Sequence, residues 1–253
     1  MDWLSKANEL KKKNISFAIA SIVNAQGSSP RKPGAKMIVL PTGEIWGTVG
    51  GGNGEKRAIQ DALDCIKKQE NGKFTYALDA KAGQVCGGEV EVYIEVIGSK
   101  EKLFILGAGH VAQAVAQVMI DTPFEIHLLD PREEWSKHPE LPNSVVSHIV
   151  PWEKLDQEVE DDCYAVIMTP DHKYDYELVE KLASRKLKFL GVIGSNTKWA
   201  TFRKRLSDKG LTQEQISAIH CPIGVAKAGS APREVAISLA AQLLILHYQD
   251  QSE

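Results

Sequence analysis

A short apolar strand that runs straight into Gly107-Ala108-Gly109-His110-Val111-Ala112 constrains this chain more than anything else in it. Leu103–Leu106 is the strand, and a helix over about 109–121 follows. Each small residue of such a turn has a physical job. Gly107 permits the sharp bend, Gly109 lets a phosphate approach the backbone, and Ala112 lets helix and strand pack closely. The helix start adds free N–H groups and the positive end of its dipole. The next apolar run, Ile126–Leu129, ends at Asp130, where a ribose-binding acid is expected; Arg132 suits a 2′-phosphate instead. The spacing therefore predicts a Rossmann-type βαβ unit over 103–130 and leaves NAD and NADP open. A scaffold that keeps its small residues only for packing is the alternative. His110 either faces a phosphate or a metal, or points to solvent from the helix start.

The same texture continues downstream. Ala165–Met168 and Phe189–Ile193 are uninterrupted apolar runs, separated by helical segments near 174–185 and 197–208. Such runs between helices imply a parallel sheet covered on both faces. Pro232–His247 reads as a closing helix with proline at its first position.

Residues 1–98 read differently, as α+β. A polar helix over 2–13 precedes strands at 17–24, 37–40 and 44–48, a helix at 55–69, and strands at 74–78 and 89–96. In the last strand Val90, Val92, Ile94 and Val96 face one way and the glutamates the other. The polar joint Gly98–Lys102 predicts the boundary. The expected fold class is thus α/β, a smaller N-terminal α+β domain (1–98) before a Rossmann-like domain (99–253).

Several loops carry candidate chemistry. Ser28, Arg31 and Lys32 lie in a Ser/Pro/Gly loop suited to an oxyanion, or to an ordinary turn. Gly50, Gly51 and Gly52 precede a helix, an arrangement that costs backbone entropy and exposes N–H groups. Glu55 caps that helix or offers its carboxylate to the site. Cys86, beside Gly87 and Gly88, is a metal ligand or sulfur carrier if its pKa is lowered, or else a buried thiol. Asp171 and His172 follow one parallel-sheet strand, and Gly194 and Ser195 end another, on the edge where such sheets bind ligands. Asp171 and His172 form a proton-handling pair, or a helix cap beside a surface histidine. Cys65 and Cys163 read as buried thiols, and no CxxC or CxxH pair suggests structural zinc.

A net charge of -3 with 25% charged residues argues against nucleic acid or an anionic membrane as partner. No apolar run reaches the length of a bilayer span and no secretory signal is legible, so a cytoplasmic protein is expected. A homodimer is the default assembly.

Taken together, GSSPRKPGAKM (27–37), GTVGGGNGE (47–55), CGGEVEVYIE (86–95), FILGAGHVA (104–112), DPREEW (130–135), FLGVIGS (189–195) and PIG (222–224) resemble the XdhC/CoxI family, in order and over about 15–245. That family comprises accessory proteins of xanthine dehydrogenase and related molybdenum hydroxylases. The resemblance implies a chaperone that binds the molybdenum cofactor, supports its sulfuration and passes it to the apo-hydroxylase, with a cysteine desulfurase as a second partner. It implies that Cys86 ligates molybdenum or assists sulfur exchange. It also implies a cleft between the domains lined by 27–34, 50–55, Cys86 and 107–112. The chain departs from the family at Gly54, at Pro170 and at Ala226-Lys227, where leucine, histidine and an acid are usual. The alternative is an NAD(P)-dependent oxidoreductase with an unusual N-terminal substrate domain; a weaker third reading is a nucleotide-sensing regulator of the hydroxylase.

Overall fold

The computed structural model describes residues 2–27, 29–77, 88–226 and 229–250. Ser28, Cys86 and Lys227 therefore lie outside the described residues. The chain divides into two compact units, Met1–Lys100 and Glu101–Glu253.

The first unit contains α1 (Trp3–Lys12), β1 (Phe17–Gln26), β2 (Lys36–Val39), β3 (Ile45–Gly47), α2 (Gly52–Lys68), β4 (Gly72–Ala77) and β5 (Glu89–Ile97). Its sheet is antiparallel in the order β3-β2-β1-β5-β4. The central strand β1 reads Phe-Ala-Ile-Ala-Ser-Ile because both of its faces are covered. Phe17 and Ile19 pack with Ala7 and Leu10 of α1. Ala18, Ala20 and Ile22 pack with Ala58 and Ala62 of α2. β5 keeps the expected alternation, burying Val90, Val92 and Ile94 while Glu89, Tyr93 and Glu95 stay exposed. The helix expected from residue 55 starts earlier, at Gly52.

The second unit contains β6 (Glu101–Leu106), α3 (His110–Val118), β7 (Phe124–Leu129), α4 (Glu133–Ser136), β8 (Val146–His148), α5 (Leu155–Glu158) and β9 (Tyr164–Ile167), then α6 (His172–Leu182), β10 (Phe189–Val192), α7 (Asn196–Asp208), α8 (Gln213–Ser217), β11 (Ile219–His220) and α9 (Pro232–Asp250). Its strands are parallel in the order β8-β7-β6-β9-β10-β11. Counted within the unit this is 3-2-1-4-5-6, the doubly wound order of dinucleotide-binding folds. The winding reverses between β6 and β9, and ligands bind such sheets beyond the carboxyl ends of those strands. Helices α3 and α9 cover one face, and α5 to α8 cover the other. Leu103, Phe104, Ile105 and Leu106 are all buried, which explains the unbroken apolar run. Among the described residues no helix is long and apolar enough to cross a membrane.

The edge strand β8 docks through a pair of imidazoles. His127 Nδ1 lies 3.1 Å from His148 Nε2, and His127 Nε2 lies 3.1 Å from Glu125. Burial and the neighbouring His127 hold the His148 pKa below its usual value, against the opposing pull of Glu158. A histidine whose folded pKa is depressed binds its proton more readily in the unfolded chain. Stability is therefore lost as the pH falls through about 6.5 and below. Thermal melts between pH 8 and pH 5 are expected to show a larger acid loss for the native chain than for His148→Gln. Equal losses would place the acid sensitivity elsewhere.

Candidate functional site

The two glycines of the phosphate turn are needed for different reasons. Gly107 has φ +109°, and a Cβ there would stand 2.4 Å from the Met168 carbonyl oxygen at the end of β9. Its N–H donates to Leu129 O at 2.8 Å, while Met168 N donates to Leu106 O at 2.9 Å, so the turn is stitched between both neighbouring strands. The protein itself requires this glycine. Gly109 has φ -65° and ψ -179°, which any residue adopts, and a Cβ there would meet nothing within 4 Å. Nothing in the fold calls for glycine at 109. The space above it, at the amino end of α3, is open. That helix carries no side-chain cap, whereas α6 is capped by Asp171 and α7 by Ser195. Ala112 is fully buried against the strand, and the buried Gln113 donates to Ala108 O at 3.3 Å. His110 is exposed and packs edge-on against Trp135 at 4.9 Å between centroids.

Asp130, expected to face a ribose, is enclosed. Its carboxylate is fully buried and accepts from Ala108 N (2.7 Å), Arg132 N (2.9 Å), Arg132 Nε (2.9 Å) and Arg132 Nη2 (2.7 Å). The bidentate bond to Asp130 raises the pKa of Arg132 further.

Asp171 and His172 are not brought together as a pair. The Asp171 carboxylate accepts from Lys173 N at 2.8 Å as the cap of α6. The His172 ring, 79% exposed, instead lies 3.7 Å from Asp175. Sequence reasoning overlooked the group beneath them. Asp175 is buried at the carboxyl end of β9, where its Oδ1 accepts from Thr169 N (3.0 Å) and Thr169 Oγ1 (2.7 Å). Its Oδ2 holds the ammonium of Lys198, which also donates to Ile193 O at 2.7 Å. The signal was available, since Asp175 stands at helical spacing with Leu178, Val179 and Leu182 on an apolar face.

Gly194 and Ser195 follow β10. The Lys198 stem lies over Gly194, where a Cβ would stand 2.6 Å from its Cδ. Ser195 Oγ accepts from Lys198 N at 3.2 Å. Both residues line a cavity of about 650 Å³ with Asn196, Thr197, Pro222 and Gly224. The loop carrying Pro222-Ile223-Gly224 is pinned to α9: Gly224 N donates to Gln242 at 2.6 Å, and Ser238 Oγ donates to Ala226 O at 2.8 Å. Two motifs far apart in the chain thus form one wall.

In the first unit, Pro30 and Gly50 are neighbours: a Cβ on Gly50 would stand 3.1 Å from Pro30 Cγ. This sets the loop bearing the exposed Arg31 and Lys32 against the glycine loop. Gly50, Gly51 and Gly52 have φ of +145°, +82° and +66°, so the backbone itself demands glycine. The N–H groups expected to be exposed are largely used internally. Glu55 turns back, accepting from Val49 N (3.1 Å), Gly51 N (3.2 Å) and the Thr48 hydroxyl, while Gly50 N donates to Thr48 Oγ1 at 3.1 Å. Of the two roles open to Glu55, this is the internal one.

Burial pushes the thiol of Cys65 upward, that of Cys163 up to about 12 and that of Cys221 up to about 11, which disfavours the thiolate in all three. Among the described residues no group of three His, Cys, Asp or Glu side chains is placed to hold a metal ion.

Comparison with known proteins agrees with this architecture. Residues 103–243 match the family model described as the XdhC Rossmann domain, and residues 10–77 match that of the XdhC and CoxI family. The uncharacterized protein YqeB of Escherichia coli (strain K12) is 33% identical over 96% of this chain, which spans only 46% of YqeB. A crystal structure of a xanthine dehydrogenase from Bacillus halodurans shares the fold, with a TM-score of 0.54 at 19% identity over 98% of this chain and 96% of that one.

Proposed function

Because the chain belongs to the XdhC and CoxI family, we propose that it is a maturation factor, one that holds a phosphate-bearing molybdenum cofactor and hands it to a xanthine dehydrogenase-type hydroxylase. One observation carries the reading: Gly109 is a glycine that the fold does not need, placed at an uncapped helix start on the ligand edge of the sheet. A backbone N–H cluster without a side chain above it suits a phosphate. His110 flanks it, and a cavity lined by neutral polar and apolar residues lies beside Gly194 and Ser195, after another strand of the same sheet.

The described residues suit the phosphate end of such a cofactor. Cys86, which lies outside the described residues, is kept as the sequence-based candidate for contact with molybdenum. When bound, the cofactor supplies the metal and an exchangeable terminal sulfur. The chain's own residues bind the phosphate, orient the organic body and shield it until transfer. Receipt of sulfur from a cysteine desulfurase, and a homodimeric state, belong to the same proposal. Arg31 and Lys32 are its solvent-facing cations in the first unit.

The competing reading, an NAD(P)-dependent oxidoreductase, draws on the 3-2-1-4-5-6 strand order. It loses its expected acid–base pair, since Asp171 caps a helix and His172 stands apart from it.

The full chain should be purified from cells with intact molybdenum-cofactor synthesis and assayed for bound molybdenum and pterin. Both are expected in about equal amounts, and Gly109→Ala is expected to reduce them at least tenfold with an unchanged melting temperature. Absence of both, with tight NADPH binding instead, would overturn the proposal in favour of the oxidoreductase.

A further inference from the structure

The acid at the end of the second strand commonly decides which nucleotide a Rossmann turn accepts, by taking a ribose hydroxyl. In this protein that acid is committed elsewhere. A carboxylate offers about four lone-pair sites. Those of Asp130 face four N–H donors, one from the phosphate turn and three from Arg132. The side chain is 0% exposed. A ribose hydroxyl would have to enter a closed space and displace a charge-assisted hydrogen bond, which is worth more than the neutral one replacing it.

What Asp130 does hold is Ala108, the residue between the two turn glycines. The turn is thereby shaped before any ligand arrives. Arg132, fixed by its fork, lays its guanidinium 5.0 Å from the Trp135 ring centroid and 5.7 Å from that of Trp152. The side chain of Arg132 remains 30% exposed. His110, the first residue of α3, touches Trp135 edge-on, so this flat cationic rim adjoins the phosphate turn directly. Trp152 is in turn stacked on Tyr174 at 5.3 Å.

We infer that Asp130 and Arg132 latch the phosphate turn instead of reading a ribose, so that the site takes the phosphate ester of a flat heterocycle with no requirement for a ribose diol. The inference rests on the reading that the turn binds phosphate. Recognition then comes from the phosphate at Gly109 and from the ring lying on the Arg132–Trp135–Trp152 rim. Stacking on aromatic and guanidinium faces is indifferent to the sugar.

The test is titration calorimetry on the full chain with inorganic pyrophosphate, ADP and 2′-deoxy-ADP. ADP and 2′-deoxy-ADP are expected to bind within threefold of each other, and both more than threefold tighter than pyrophosphate. Trp135→Leu should remove that advantage and leave pyrophosphate affinity unchanged. Asp130→Asn should weaken all three probes together, with the ADP to 2′-deoxy-ADP ratio still within threefold. A 2′-deoxy-ADP affinity more than threefold below that of ADP overturns the latch and restores Asp130 as a ribose reader. ADP binding no more than threefold tighter than pyrophosphate overturns the stacking rim while the phosphate turn stands. If pyrophosphate itself does not bind, the phosphate reading fails and this inference fails with it.

Discussion

Lys198→Met is expected to cost about 3–5 kcal/mol of stability, the range for removing one partner of a buried ion pair. The Lys198 side chain is 8% exposed and that of Asp175 is 1% exposed, so water cannot replace the lost ammonium. Met fills the space of the stem over Gly194 but leaves a buried carboxylate with the two Thr169 donors and the exposed His172 ring at 3.7 Å. At roughly 2–4 °C per kcal/mol, the melting temperature should fall by about 6–20 °C. Adding Asp175→Asn should recover part of the loss. The carboxamide oxygen still accepts from Thr169 N and Oγ1 but no longer buries a charge. Denaturant melts of the two single variants and the double variant give the coupling energy. A loss under about 1 kcal/mol for Lys198→Met would show that the pair is solvated in solution and has no structural role.

Gly107→Ala and Gly109→Ala should separate completely, although the two glycines stand two positions apart in one motif. The first puts a methyl 2.4 Å from the Met168 carbonyl oxygen, a backbone atom that cannot swing away, at φ +109°. Strained φ and overpacking each cost about 1–3 kcal/mol, so a loss on the order of 4 kcal/mol is expected. That is a large share of the roughly 5–15 kcal/mol that holds a domain folded. The second puts the same methyl into open space at an ordinary φ and should leave the melting temperature within about 1 °C, since a 1 kcal/mol change already moves it by roughly 2–4 °C. Its effect is reserved for a bound phosphate, which the methyl keeps off the helix N–H groups. Equal melting losses for both variants would mean that Gly109 serves packing, and the main support for the ligand site would be gone.

This contrast marks how far the sequence could be read. The turn, its strand and its helix are local, and the pattern of small and apolar residues reports local conformation directly. The parallel sheet was legible for a related reason. A strand covered on both faces needs apolar residues at every position, as in Leu103–Leu106 and Ala165–Ile167. In the same way β1 and β5 of the first unit declare which faces are covered.

The disposition of charged side chains was not legible. Asp130 stands where a ribose acid is expected, yet its carboxylate closes on Ala108, 22 residues earlier. Glu55 folds back onto its own glycine loop, and Asp171 and His172 part company at the start of α6. Lys198 and Asp175, 23 residues apart, carried no motif.

By itself, then, the sequence determined the Rossmann unit, the change of texture near residue 100 and the family to which the chain belongs. Periodicity, small residues and ordered motifs are properties of neighbours along the chain. Only the tertiary structure decided which glycine has open space above it and which faces Met168, and whether each acid looks outward or inward. A carboxylate is claimed by whichever donors lie within about 3 Å of it. Some of those donors arrive on adjacent strands and crossover helices, more than twenty residues away in sequence, and others lie within seven residues but are brought round by the local turn.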